Sequence, residues 1–183
     1  MDSIDKYAVY GNPIKHSKSP QIHSLFAEQS GQKMVYRSHQ VEANKFAKAA
    51  QSFFDNGAKG LNITAPFKLD AFAFADVLSD RASLAGAVNT LALQDDGKIY
   101  GDNTDGAGMV RDIQHNLGWQ IEGKRVLLLG AGGAVRGVVE PIAKQKPLMI
   151  VIANRTVEKA LKLASDFSSY GDIRGCSYEA IYG

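Results

Sequence analysis

Arg125-Val-Leu-Leu-Leu-Gly-Ala-Gly-Gly-Ala-Val135 is the stretch on which the fold turns. Arg125 to Leu129 is a continuous apolar run, the pattern of a parallel strand covered on both faces. Glycines from Gly130 to Gly133 break the run, and a helical pattern follows to about Gln145. Leu148–Ala153 repeats the strand signal, Thr156–Phe167 reads as a helix, and Ile173–Cys176 reads as a third strand. This succession is β-α-β-α-β, the first half of a doubly wound parallel sheet.

Upstream the pattern is also α/β. Lys6–Gly11, Val35–Val41 and Gly60–Thr64 read as strands bounded by turn residues. Ser19 is placed to cap a helix with Pro20 at its first position, and Gly31 supplies the stop. Asn44 is read as the cap of a helix carrying Phe46, Ala49, Ala50, Phe53 and Phe54, with Gly57 at its end. Helices are expected over 68–75 and 80–84. Val88–Leu93 and Lys98–Tyr100 flank Gln94-Asp-Asp-Gly97, a hairpin signal. Asp105–Leu117 has helical spacing, and Gly118–Gly123 resets the chain. The expected plan is a substrate-binding α/β domain over 1–105 with an open, mainly parallel sheet. A connecting helix and linker follow over 106–123, and then a partial Rossmann-like domain over 124–183.

The 183 residues carry 21 Lys and Arg against 19 Asp and Glu, so bulk charge gives no grip on nucleic acid. The longest apolar run, Val126 to Val135, is broken by glycines and far short of the roughly 20 residues of a membrane span. The N-terminal Met1-Asp2-Ser3-Ile4-Asp5 holds acids where a signal peptide needs bases. Cys176 is the one cysteine, which excludes a disulfide framework and fits a reducing, cytoplasmic compartment. His16, His23, His39 and His115 show no paired metal spacing and read as structural or solvated, with His16 possible near a ligand cleft. No metal site is expected. Cys176 reads as a buried small hydrophobe.

Gly130, Ala131, Gly132, Gly133 and Ala134 lie between a strand and a helix, the context that a dinucleotide fingerprint requires. Glycine lets the backbone approach a pyrophosphate, and the helix N-terminus offers free N–H groups and a positive dipole end. A cofactor with a free ribose 2′-OH calls for an acid about 20 residues further on. Asn154-Arg155-Thr156, followed by Lys159, stands there instead. A guanidinium, a hydroxyl and an ammonium suit a 2′-phosphate, so NADP is expected over NAD. The alternative is a helix cap with solvated bases.

Polar clusters sit at strand ends in the first domain, where open sheets bind ligands. They are Ser17-Lys-Ser-Pro20, Asn62-Ile-Thr-Ala-Pro-Phe-Lys68, Asn89-Thr90 and Gly101-Asp-Asn-Thr-Asp-Gly106. Each alone suits a cap or turn. Together they describe one cleft.

These blocks carry a resemblance to the shikimate dehydrogenase family. They are Gly11-Asn-Pro13 with His16 to Pro20, Asn62 to Lys68, Ala85-Gly-Ala-Val-Asn-Thr90, Gly101 to Gly106, Gly130 to Ala134 and Asn154-Arg-Thr156, in family order across nearly the whole chain. The resemblance implies NADP-linked reduction of 3-dehydroshikimate to shikimate, on the way to chorismate and the aromatic amino acids. It implies a small-molecule substrate, neither nucleic acid nor membrane as partner, and a monomer or homodimer. Carried onto this sequence, Lys68 and Asp105 look like the catalytic pair. Ser17, Ser19, Thr64 and Asn89 join them as substrate ligands, and Asp80 matches an acid near the cofactor. The resemblance departs from the family at Ala65, where a larger apolar residue is usual, and at Val135, where a small or hydroxylated one is.

A full doubly wound domain has up to six strands. This chain therefore reads as C-terminally truncated, expected to bind the adenosine end of NADP better than it catalyses. Alternatives are a quinate/shikimate dehydrogenase that uses NAD and a nucleotide-binding fragment or pseudoenzyme without turnover. Turnover measured with each cofactor is expected to be faster with NADP; faster turnover with NAD overturns the reading of Arg155 and Lys159.

Overall fold

A computed structural model describes residues 4–181; the acidic start at Met1–Ser3 lies outside them. The chain divides into two compact units. Unit 1 takes residues up to Ser83 and Val88–Asp102, and unit 2 takes Leu84–Ala87 and everything from Asn103 onward.

Unit 1 holds strands β1 (Asp5–Gly11), β2 (Met34–Gln40), β3 (Ala58–Ile63), β4 (Val77–Leu78), β5 (Thr90–Leu93) and β6 (Ile99–Asp102). Its helices are α1 (Ser19–Ser30), α2 (Phe46–Asp55), α3 (Lys68–Phe74) and α4 (Asp80–Ala85), the last running across the unit boundary. The strands form one sheet in the order β2-β1-β3-β5-β6-β4. β1 pairs in parallel with β2 and β3, because a helix returns the chain to the same end each time. β5 and β6 are antiparallel to each other, joined by the Asp95-Asp96-Gly97 turn, and β5 is antiparallel to β3. β4 adds a two-residue parallel edge to β6 that sequence patterning did not suggest.

Two helix starts differ from the sequence reading. Ser19 is the first residue of α1 rather than its cap, and Lys18 takes the cap position without a side-chain bond. The capping hydroxyl comes from one step earlier: Ser17 Oγ accepts the Ser19 N–H at 3.3 Å. Asn44 is no cap either. It lies at φ +65°, a left-handed turn that Asn tolerates, and α2 begins after Lys45. Phe46, Ala50 and Phe54 then recur every four residues and are buried. They meet Tyr10, Leu61, Phe67, Val88 and Leu91 in the core of the unit.

In unit 2, β7 (Arg125–Leu129), β8 (Met149–Ala153) and β9 (Ile173–Cys176) form a parallel sheet in that order. α6 (Gly133–Ala143) and α7 (Val157–Asp166) are the crossovers, as the motif requires. α5 (Asp105–Arg111) precedes them and runs on as a π-helical turn over Asp112–Asn116. Val126, Leu128, Ile150 and Ile152 pack with Val139, Ile142, Ala160 and Leu163.

The expectation that β7 is covered on both faces fails. Leu127 is 45% and Leu129 63% exposed, because alternate residues of a strand face opposite ways and both crossover helices pack against the Val126–Leu128 side. Cys176 is half-buried rather than buried.

α5 and α6 lie in close contact at Gly106. A Cβ there would lie 2.3 Å from the Gly137 carbonyl oxygen and 2.6 Å from Pro141 Cγ. Pro141, inside α6, has no N–H to offer that carbonyl. Gly106→Ala therefore forces backbone apart and is expected to destabilise unit 2 by about 1–3 kcal/mol, read as a lower urea midpoint; an unchanged midpoint contradicts this packing.

Candidate functional site

In unit 1 the predicted ligands gather at the carboxyl ends of β1 and β3. Thr64 follows β3, and its N–H donates to the Tyr10 carbonyl at 2.9 Å. Its methyl lies where a Gly11 Cβ would be, 2.4 Å away, and Ile14 closes the other side at 2.9 Å. The Ile14 carbonyl accepts the Ser17 N–H at 3.0 Å, so the first loop folds back onto the end of β1. The Thr64 carbonyl in turn accepts from Phe67 at 3.1 Å, delivering Lys68 as the half-buried first residue of α3. The Lys68 carbonyl accepts the Val88 N–H at 2.9 Å, which ties α3 to the segment holding Asn89.

Asn89 is 9% exposed. Its N–H donates to Asp102 and its carbonyl accepts from Ile63, at 3.0 and 2.8 Å, so the backbone is held from β6 and from β3. A chain of hydrogen bonds connects it to Ser19. The Ser19 hydroxyl bonds the Tyr36 hydroxyl, which donates to Asn62 Oδ1 at 2.7 Å. Asn62 Nδ2 donates to Thr90 Oγ1 at 3.2 Å, and Thr90 donates to Asn89 Oδ1 at 2.9 Å. Every donor points the same way along the chain, so the bonds polarise one another. Burial pushes the Tyr36 hydroxyl up to about 12 against the weaker opposing effect of Ser19. The His23 ring stacks on Tyr36 at 4.2 Å, and burial lowers its pKa.

Tyr36 was missed from sequence because it lies in mid-strand, where a tyrosine is ordinary core. Asn62 belonged to a quoted polar cluster but had no role. An Asn on a strand flanked by Leu61 and Ile63 was the available signal. Asp80, the residue matched to the cofactor, is exposed at the first position of α4. His16 is exposed.

Unit 2 carries the rest. Asp105 is the half-buried first residue of α5, and its N–H donates to Asn103 Oδ1 at 3.2 Å. Asn103 is 2% exposed, and its Nδ2 donates to the Ala87 carbonyl at 3.0 Å. The loop before Asp105 is thus pinned to the Leu84–Ala87 segment. Arg136 pins the same segment from α6, donating to the Ala85 carbonyl at 2.9 Å.

The glycine turn sits at the carboxyl edge of the three-stranded sheet. Gly130 has φ +108°, a conformation that excludes most side chains, and donates to the Ala153 carbonyl at 2.7 Å. The turn thereby closes beside the end of β8. Gly132 is the extended N-cap of α6, and a Cβ on it would meet nothing within 4 Å. Ala131 is half-buried and Ala134, in the first turn of α6, is exposed. Just past β8, Asn154 Nδ2 donates to the Thr156 carbonyl at 2.8 Å and holds the loop. Thr156 precedes α7 without capping it through its side chain. Arg155, Thr156 and Lys159 are exposed. The open glycine turn, the free end of α6 and the exposed Arg155 and Lys159, with no acid from Asn154 to Thr156 and Glu158 following in the first turn of α7, fit a dinucleotide bearing a phosphate on its adenosine ribose. Among the described residues no group of three or more His, Cys, Asp or Glu could hold a metal ion. No helix among them is long and apolar enough to cross a membrane.

Comparison with known proteins matches residues 9–91 to the shikimate dehydrogenase substrate binding domain and residues 112–180 to shikimate / quinate 5-dehydrogenase. A shikimate dehydrogenase (NADP(+)) of Cellvibrio japonicus is 56% identical over 98% of this chain and 64% of its own length. The crystal structure of an Ael1 enzyme from Pseudomonas putida is 48% identical with a TM-score of 0.88, over 98% of this chain and 65% of the other. Shikimate 5-dehydrogenase from Thermus thermophilus, solved with NADP(H) and shikimate, is 31% identical with a TM-score of 0.83, over 93% of this chain and 62% of the other. The chain therefore spans a little under two thirds of the length of these relatives.

The Tyr36 hydroxyl holds the hydrogen-bonded chain only while protonated. Its folded pKa is raised above the ordinary value of 10.0, so its contribution is complete below pH 10 and is lost as pH rises towards about 12. Thermal stability is expected to fall over that window, and Tyr36→Phe to flatten the fall; an unchanged alkaline slope in the variant contradicts the assignment.

Proposed function

The chain belongs to the shikimate dehydrogenase family, and on that premise we propose that it takes part in the NADP-linked, reversible reduction of 3-dehydroshikimate to shikimate. The observation that carries the reading is the run of hydrogen bonds from Ser19 through Tyr36, Asn62 and Thr90 to Asn89. It connects Ser19 and Asn89, two of the groups assigned to the substrate, across one sheet.

Ser17 and Thr64 hold the substrate carboxylate through their hydroxyls, and Ser19, whose proton goes to Tyr36, lines the same end of the sheet. A hydroxyl donates to a carboxylate without bringing a second charge. Asn89, fixed by backbone bonds on both sides, reads a ring hydroxyl with its amide. Lys68 meets the oxygen that changes between carbonyl and alcohol. As an ammonium it stabilises the developing alkoxide and donates the proton that completes the alcohol. Asp105 accepts from a substrate hydroxyl.

The glycine turn over Gly130–Ala134 holds the pyrophosphate at the start of α6, and Arg155, Thr156 and Lys159 hold the 2′-phosphate. Asn154 fixes the loop that carries them. Asp80 contributes on the cofactor side. When bound, NADPH supplies the hydride. The absence of an acid after β8 favours NADP over NAD, since a carboxylate there would repel the phosphate. A single cysteine and balanced charge suit a cytoplasmic enzyme.

Lys68→Ala tests the central role. Loss of a positioned proton donor typically costs about 10²–10⁴ in rate, so shikimate oxidation is expected to fall by at least about a hundredfold, with shikimate affinity from calorimetry little changed. Near-native turnover in the variant sinks the assignment.

A further inference from the structure

Asp102 lies at the end of β6, and no role in binding or chemistry has been given to it above. Its side chain is 15% exposed, and three donors converge on it. Ser79 Oγ donates to Oδ1 at 2.6 Å, Arg81 Nε donates to Oδ1 at 2.7 Å, and Arg81 Nη2 donates to Oδ2. The guanidinium thus grips the carboxylate with two parallel bonds, the geometry that fixes both partners in plane. Ser79 is itself held twice. Its N–H donates to the Gly101 carbonyl at 2.9 Å, and its Oγ accepts the Ala82 N–H at 3.1 Å from the first turn of α4.

The backbone of the same residue reaches the substrate side. The Asp102 carbonyl accepts the Asn89 N–H at 3.0 Å, and one residue earlier Val88 donates to the Lys68 carbonyl at 2.9 Å. All of these residues lie in unit 1. On the outer side of β6, β4 pairs over Val77 and Leu78, and the Asp76 and Ser79 N–H groups donate to the Ile99 and Gly101 carbonyls. Backbone bonding on that side thus reaches Gly101, and the clamp on the Asp102 carboxylate extends it to the last residue of the strand.

We propose that Asp102, gripped by Arg81 and Ser79, is a positioning residue that fixes Asn89 and, through Val88, the start of α3 at Lys68. The proposal rests on the reading of Asn89 and Lys68 as substrate-side groups. The clamp acts by holding a carbonyl in place, so its loss loosens the Asn89 and Val88 amides first and weakens substrate binding in consequence. Binding at the glycine turn of unit 2 does not depend on it.

The test uses the whole chain with Asp102→Ala, Asp102→Asn and Arg81→Lys, each followed by amide hydrogen exchange and by calorimetry with shikimate and with NADP. In Asp102→Ala, exchange at Asn89 and Val88 is expected to speed up at least tenfold while Ala8 in β1 stays protected. Shikimate affinity is expected to fall at least tenfold, with NADP affinity within twofold. Asp102→Asn keeps an acceptor for Ser79, and Arg81→Lys keeps the charge without the fork, so both are expected to lie between wild type and Asp102→Ala. Wild-type exchange at Asn89 and Val88 in Asp102→Ala overturns the proposal. So does an equal loss of both ligands, which marks a general structural role. If Asp102→Ala does not fold, Arg81→Lys decides by the same two readouts. A wild-type chain that binds no shikimate overturns the functional reading instead, and the exchange measurement still decides whether the clamp positions Asn89.

Discussion

Asn89 has lost nearly all contact with water, so its backbone groups and its side-chain oxygen take partners within the protein. That requirement organises unit 1. The backbone N–H goes to β6 and the carbonyl to β3, so the residue sits where the sheet changes from parallel to antiparallel pairing. The side-chain oxygen takes the Thr90 hydroxyl, and the chain of donors behind it runs through Asn62 and Tyr36 to Ser19. A half-satisfied polar network in a core is worse than an apolar one. The network is therefore all or nothing, and it brings loops distant in sequence to one edge of the sheet.

Unit 2 meets a different constraint. Parallel strands joined by right-handed crossovers put all their carboxyl ends on one edge. The Gly130 turn, the Asn154 loop and the end of β9 therefore lie side by side without further instruction: Gly130 donates to Ala153, and Asn154 donates to Cys176. The same regular arrangement explains why the exposed bases sit next to the glycines.

Much of this was legible from sequence. The helix and strand positions followed from periodicity and from glycine and proline punctuation, and the motif blocks marked Ser17, Thr64, Lys68, Asn89 and Asp105 as groups to watch. The misreadings have local causes. Ser19 and Asn44 are good caps by type, but Ser17 already serves the start of α1 and Asn44 is spent on a left-handed turn. β7 is apolar throughout, yet apolarity cannot tell a strand covered on both faces from one covered on a single face. Leu127 and Leu129 show the difference only once both helices are seen to pack on the Val126–Leu128 side. β4 is too short to leave any periodic mark.

By itself the sequence determined the order of elements, the glycine turn at the head of α6 and the absence of an acid after β8. These are local properties, written in residues that are neighbours along the chain. Tertiary structure alone decided that Tyr36 and Asn62 join Ser19 to Asn89, and that Asp102 is gripped by Arg81 and Ser79 while its carbonyl holds Asn89. Each of those contacts spans more than a dozen residues or depends on which face of a strand a side chain takes. Hydrogen bonds act over about 3 Å, so only the folded register from β2 through β1, β3 and β5 to β6 brings the partners within reach.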